Sequence, residues 1–306
     1  MAILGLLVAF GVAACGRSDA VRTPGDECVP ARSLAEGTTE HTIASGGESR
    51  TYLLHVPPGY DGSTKTPVVV LFHGYGGTSA TMMQTTHMVK LADDKGFLLV
   101  APQGRGDVAR WDFESPVDAE GSDLGFVRDL VSQVKSESCV DANRVYAGGF
   151  SNGSALTLAL ACDGTTKFAA YGAVSAPYYA DSCDTAPPAP IIYFHGMRDK
   201  VVPYDGADTL IGRLHPVNQA ISKWVKHDSC PASGSTTTVS EHVRHFAWKS
   251  CANGAAVELY AVDNGGHRWP GGTASSPGRV DGITTQEIDA SMLIWEFFER
   301  HPPGGQ

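Results

Sequence analysis

Three observations predict an α/β fold, with a mostly parallel central sheet and helices on both faces. Short apolar, β-branched runs such as Val68 to Phe72 recur along the chain, as strands buried on both faces should. These runs alternate with stretches of helical periodicity. One strand-to-helix junction carries Gly149-Phe150-Ser151-Asn152-Gly153, a serine flanked at two residues on either side by glycine. The chain has 306 residues, 42% of them hydrophobic, which is enough for a large core, and it holds no internal repeat or second composition block. One α/β domain is expected over residues 38–302, behind a leader at 1–14 and a linker at 15–37.

The leader runs from Ala2 to Ala14, small and aliphatic but too short to span a bilayer comfortably. It ends Val12-Ala13-Ala14-Cys15-Gly16, which resembles a bacterial lipobox in which Cys15 would be lipidated and become the mature N-terminus. No Lys or Arg precedes the run, and a plain cleaved signal is the alternative. Either way the chain is expected outside the cytoplasm, secreted or lipid-anchored at the bacterial envelope. A formal net charge of -10 and the lack of any basic run argue against nucleic acid or an anionic membrane surface as partner. Membrane contact is therefore expected only through the lipid anchor, and the chain is expected to be a monomer.

Gly16 to Gly37 is polar and rich in Pro, Gly and charge, the composition of a tether. His41 to Ala44 and Ser49 to Val56 read as a hairpin about Ser45-Gly46-Gly47-Glu48. After the Val68 strand comes His73-Gly74-Tyr75-Gly76-Gly77. Ser79 to Lys95 then reads as one helix closed by Gly96. Phe97 to Val100 is a buried strand, and Pro102 to Gly121 is a loop carrying Trp111. From Asp123, the apolar positions Val127, Leu130, Val131 and Val134 recur at helical spacing. Val145 to Ala147 leads into the serine turn and its helix. Ala169 to Val174, Ile191 to Phe194 and Val257 to Val262 are further strands. Val217 to Lys226 reads as a helix with Pro216 at its start, and Asp289 to Arg300 as a closing helix stopped by Pro302-Pro303.

Of seven cysteines, Cys15 belongs to the leader, which leaves Cys28, Cys139, Cys162, Cys183, Cys230 and Cys251. An oxidising compartment favours their pairing. Local proximity suggests Cys162 with Cys183 and Cys230 with Cys251, leaving Cys28 with Cys139, while other connectivities stay open. His242-Val243-Arg244-His245 is the nearest approach to a metal-ligand spacing and is read as two solvated histidines. No metal or organic cofactor is expected.

The serine turn explains its own glycines. A hydroxyl pushed out at the tip of a strained turn tolerates no bulk two residues away, and the helix behind it aims free N–H groups at a forming oxyanion. Two more strand ends carry partners for it. Asp199 follows the Ile191 strand in His195-Gly196-Met197-Arg198-Asp199, and His267 follows the Val257 strand in Asp263-Asn264-Gly265-Gly266-His267. All three fall on the carboxyl rim of a parallel sheet, where such folds gather ligands. Imidazole is mostly unprotonated at neutral pH and can activate a serine, while a carboxylate fixes its tautomer. Ser151, Asp199 and His267 form the candidate triad. The N–H groups of Asn152 and Tyr75 are the candidate oxyanion hole, and Trp111 and Trp269 are candidates to line a substrate pocket.

Taken together, RTYLLHVP, VVVLFHG, RVYAGGFSNG, PIIYFHGMRDKVVPY, GGHRWPGG and ASMLIWEFF resemble the polyhydroxybutyrate depolymerase-like esterases. They are similar also to the feruloyl and acetylxylan esterases of carbohydrate esterase family 1. The likeness runs from about Glu40 to His301. It implies an α/β-hydrolase fold without a large lid, the same triad, and an ester substrate derived from polysaccharide or polyester. It also makes the three cysteine pairs plausible. Ser154 departs from the pattern, standing where these esterases often carry glycine or alanine. A feruloyl- or acetylxylan-type serine esterase is the reading that follows, with hydroxyalkanoate oligomers as the alternative substrate. A serine peptidase or a non-catalytic binding lipoprotein on the same scaffold stands further off.

Overall fold

The computed structural model describes residues 27–209, 212–273 and 282–301. The leader, Cys15 and Pro302-Pro303 lie outside the described residues.

Two strands open the domain, β1 (Gly37–Ser45) and β2 (Glu48–Val56), an antiparallel hairpin with Gly46 and Gly47 both at positive φ. Glycine reaches that backbone region freely, which is why a two-residue turn of this hand selects it. Next come β3 (Thr66–Phe72), α1 (Ser79–Thr86), α2 (Met88–Lys95) and β4 (Leu98–Pro102). Then follow α3 (Asp123–Glu137), β5 (Val140–Phe150), α4 (Asn152–Asp163), β6 (Tyr171–Val174) and β7 (Ile191–Gly196). The chain continues through the short pair β8 (Ala207–Thr209) and β9 (Gly212–Leu214), then α5 (Val217–His227). It finishes with β10 (Ser235–Ser240), β11 (Val243–Trp248), β12 (Val257–Val262) and α6 (Ala290–Arg300).

Ten strands form one sheet in the order β1-β2-β4-β3-β5-β6-β7-β12-β11-β10. The six from β4 to β12 in that order are mutually parallel, and antiparallel hairpins finish both sides. Side-chain alternation along β3 divides the core in two. Val68, Val70 and Phe72 meet α3, α4 and α5 on one face, while Val69 and Leu71 meet α1, α2 and α6 on the other. Helix α6 approaches β6 closely because Gly172 lacks a side chain: a Cβ there would lie 2.7 Å from Ile294. The structure thus has the expected α/β architecture, with helices on both faces.

Three expectations change. The helix expected over Ser79 to Lys95 is two, broken at His87, whose φ of 57° is left-handed. The break turns carbonyls outward: Thr85 accepts the Thr273 N–H and Thr86 accepts the Ser291 hydroxyl, tying α1 to the 273 and 291 segments. The segment 27–36, expected as tether, is fastened to the domain. Cys28 bonds Cys139, the Arg32 guanidinium donates to the Lys135 and Ser138 carbonyls, and Tyr60 donates to the Arg32 carbonyl. Finally, the two histidines expected to be solvated flank or lie on β11. His245 meets Glu258 at 2.9 Å and stacks on Tyr260, while His242 meets Glu287 at 2.7 Å.

The disulfides are Cys28–Cys139, Cys162–Cys183 and Cys230–Cys251. Among the described residues, no helix is long and apolar enough to cross a membrane.

Candidate active site

Strand β5 ends at Phe150 and α4 begins at Asn152, so the whole reversal falls on Ser151. Its backbone sits at φ 53°, ψ -122°, a region L-residues rarely occupy. The Ser151 N–H is anchored on the Val174 carbonyl at 2.8 Å. Two glycines make the reversal feasible. A Cβ on Gly149 would lie 2.2 Å from the Gly153 carbonyl oxygen, and one on Gly153 would lie 2.4 Å from that of Phe72. Helix α4 therefore starts in direct contact with the end of β3, which is what draws the His73 turn up to the serine.

The three predicted side chains form one hydrogen-bonded chain. His267 Nε2 lies 2.9 Å from Ser151 Oγ, and its Nδ1 lies 2.7 Å from Asp199 Oδ2. With an ionised carboxylate at Nδ1, the proton sits on that nitrogen and Nε2 is left to accept from the serine hydroxyl. Burial raises the Asp199 carboxyl, but the neighbouring His195 and His267 rings outweigh it, and the group is held well below the usual carboxylate range. The Val201 and Val202 N–H groups, each 2.8 Å from Oδ1, fix its other oxygen. Glycines again permit the approach of the two loops: a Cβ on Gly196 would lie 2.4 Å from the carbonyl oxygens of Gly265 and Gly266. Phe150 covers the imidazole, with ring centres 4.9 Å apart.

On the other side of Ser151, a Cβ on Gly74 would sit 3.1 Å from the serine Cβ, so the His73–Gly77 turn lies against this serine. Asn152 opens α4, and its N–H therefore has no carbonyl within the helix to bond. In the turn, Gly76 donates to Ala109 and Gly77 to Gly74, whereas the Tyr75 N–H has no acceptor among the described residues. The buried His73 ring braces the turn, with Nδ1 at 2.8 Å from the Gly74 carbonyl and Nε2 accepting the Gly104 N–H at 2.9 Å. Burial lowers its pKa, in keeping with a neutral ring that donates on one side and accepts on the other.

Both tryptophans expected to line a pocket are interior. Trp269 is 3% exposed, donates to Ser291 Oγ at 3.0 Å and belongs to the core beneath α6. Trp111 is 2% exposed; its indole N–H bonds the His73 carbonyl at 2.7 Å, so it supports the turn. It is also among the lining of a cavity of about 970 Å³, with Arg50, Gln103, Arg105, Arg110 and Glu114, which does not include Ser151, Asp199 or His267. The hydroxyl of Ser154 is buried and donates to the Ala176 carbonyl at 2.9 Å, tying α4 to the loop after β6.

His195 stands out among the residues that sequence reasoning passed over. It lies at the end of β7, behind Asp199, with Nε2 3.4 Å from the carboxylate and 2.8 Å from the Val202 carbonyl. The motif His195-Gly196-Met197-Arg198-Asp199 contained it, but nothing in the spacing tells which way a strand-end histidine turns.

The profile described as Esterase PHB depolymerase matches residues 50–186, which include the His73 turn, Ser151 and Asn152. Feruloyl esterase C of Emericella nidulans is 27% identical over 261 residues, covering 81% of this chain and 83% of that protein. Over residues 50–186 the chain is similar to this esterase family. Another relative of the esterase, Feruloyl esterase B of Piromyces equi, is 24% identical over 233 residues, covering 71% of this chain but only 42% of that protein. Among solved structures, an acetyl xylan esterase from Aspergillus awamori superimposes with a TM-score of 0.60 at 16% identity, covering 86% of this chain and 99% of that one. That likeness concerns the fold, which is that of an α/β-hydrolase.

Proposed function

We propose that this esterase hydrolyses carboxylic esters through an acyl-enzyme on Ser151. The observation that carries the reading is the unbroken chain from Ser151 Oγ through His267 to Asp199, with both links under 3 Å. Ser151 Oγ attacks the ester carbonyl carbon while His267 Nε2 takes its proton. The developing oxyanion accepts from the N–H groups of Asn152 and Tyr75. Collapse expels the alcohol, which leaves with the proton from His267. Water then attacks the acyl carbon, gives its proton to His267 and releases the acid, and the proton returns to Ser151.

The names of the relatives favour feruloyl or acetyl esters of plant polysaccharide as substrates. Hydroxyalkanoate oligomers are the second reading, favoured by the family description. The three disulfides support work in an oxidising compartment, in line with export by the leader, whether Cys15 is lipidated or the signal is simply cleaved.

Initial rates on methyl ferulate, acetylated xylan, hydroxybutyrate oligomers and p-nitrophenyl acetate test the proposal, with Ser151→Ala as blank. Preference for the ferulate or the xylan supports the polysaccharide reading, and preference for the oligomers supports the second. Turnover by the Ser151→Ala protein would overturn the mechanism.

A further inference from the structure

We propose that His195 is a positioning residue that sets the orientation and charge of Asp199, and through it the basicity of His267. The proposal rests on the triad reading above.

The hydrogen-bond partners define the state of His195. A carbonyl can only accept, so Nε2, 2.8 Å from the Val202 oxygen, carries a proton. Nδ1 lies 2.7 Å from the Tyr193 hydroxyl, which is the donor there when the ring is neutral and has one N–H. A neutral imidazole is held by these two partners in one tautomer, with its N–H pointing at Val202 O and with Asp199 Oδ2 at 3.4 Å. The bond to Val202 is the shorter, and the longer contact with Asp199 is electrostatic. All of this is interior: Tyr193, His195 and Asp199 are each less than 5% exposed. The titratable groups that meet the ring are Tyr193 and Asp199, together with Tyr204, packed edge-on at 5.7 Å.

Two physical routes lead from this ring to the triad. His195 holds the Val202 carbonyl, and the N–H of the same residue holds Asp199 Oδ1, so the histidine fixes the peptide that fixes the carboxylate. Its N–H also faces Oδ2, the oxygen that receives His267 Nδ1–H, and draws negative charge from it. Removing that N–H leaves more charge on Oδ2 and favours the imidazolium form of His267. The acid limb of kcat/KM then moves to higher pH, and a carboxylate less well held lowers kcat. A histidine that served only as a strut would leave both unchanged in the folded protein.

The test compares wild type with His195→Phe, which keeps a ring without a donor, and His195→Gln, which restores one N–H. Two readouts are used: pH profiles on p-nitrophenyl acetate, and the low-field proton NMR resonance of the hydrogen bond between His267 and Asp199. For His195→Phe, kcat should fall about 10-fold at nearly constant KM. Its acid limb should rise by about half a pH unit, with the low-field proton displaced. His195→Gln should recover most of each. A lowered melting temperature with kcat, acid limb and proton all as in wild type overturns the proposal, as does a Gln variant no better than Phe. Should the Phe protein not fold, Tyr193→Phe decides, because it frees Nδ1 and lets the ring turn; the same shifts, smaller, are expected, and an unchanged profile overturns the proposal. If wild type turns over no ester, the mechanism proposed above fails, and the NMR resonance still reads the effect of His195 on Asp199.

Discussion

The side-chain amide of Asn152 closes two hydrogen bonds on the backbone of Trp111, accepting its N–H at 2.7 Å and donating to its carbonyl at 3.2 Å. The residue after Ser151 thereby holds the loop whose indole, in turn, holds the His73 carbonyl. The two expected oxyanion donors, Asn152 and Tyr75, are linked through this one side chain. Asn152→Ala keeps its own backbone N–H but cuts the clamp. We expect kcat on p-nitrophenyl acetate to fall about 10-fold, from misplacement of the Tyr75 N–H, with little change in KM. Steady-state kinetics on the purified variant check this, and an unchanged kcat would show that the clamp is dispensable.

Gly153 and Ser154, adjacent in α4, should respond oppositely to alanine. At Gly153 a Cβ would lie 2.4 Å and 2.5 Å from two backbone carbonyl oxygens, Phe72 and His73, which cannot move without shifting β3. Gly153→Ala should cost about 3 kcal/mol or more and abolish activity with it. Ser154→Ala loses only the bond to the Ala176 carbonyl, about 1 to 2 kcal/mol, and should keep its activity. Thermal melts and esterase rates on both proteins separate the two effects.

What the sequence made legible follows from which forces are local. Strand β3 and helix α3 were readable because burial on two faces, or on one helical stripe, writes itself into residue order. The elbow was readable because sterics at Ser151 dictate glycine on both sides. Strand β10 was not: Ser235 to Val239 are exposed at the edge of the sheet and carry no apolar alternation. The break at His87 depends on partners at Thr273 and Ser291, far along the chain, so no window around it could reveal it. An aromatic near a motif says nothing of its direction, which is why Trp111 and Trp269, expected at the substrate, proved interior.

The disulfides should contribute unequally. Cys28–Cys139 closes a separation of 111 residues, against 21 for each of the other two. Loop-closure entropy then gives about 5 kcal/mol for the first and about 3 kcal/mol for each of the others. The first also secures the segment from Glu27 to Ser33 against the domain. Paired Cys→Ser replacements, melted one pair at a time, should show the largest fall for Cys28 and Cys139. Equal falls would mean that native-state packing, rather than chain entropy, sets their worth.

Asp228 provides a pH dependence separate from catalysis. Its side chain is wholly buried, with Oδ1 2.6 Å from His227 Nδ1 and 3.2 Å from the Ala189 N–H, while Oδ2 has no hydrogen-bond partner among the described residues. Burial pushes its carboxyl up to about 6, the bonds from His227 and Ala189 countering only in part. The sign is the reverse of the usual carboxylate case. Between about pH 4 and pH 6 the folded protein keeps a proton that the unfolded chain has released, so stability falls as pH rises through this window. Above it, a buried carboxylate costs on the order of 2 to 3 kcal/mol. Asp228→Asn removes that cost, because the amide needs no ionisation. Relative to wild type, its melting temperature should be higher at pH 8 than at pH 4 by about 5 °C. A difference independent of pH would mean that Asp228 titrates alike in the folded and unfolded chains.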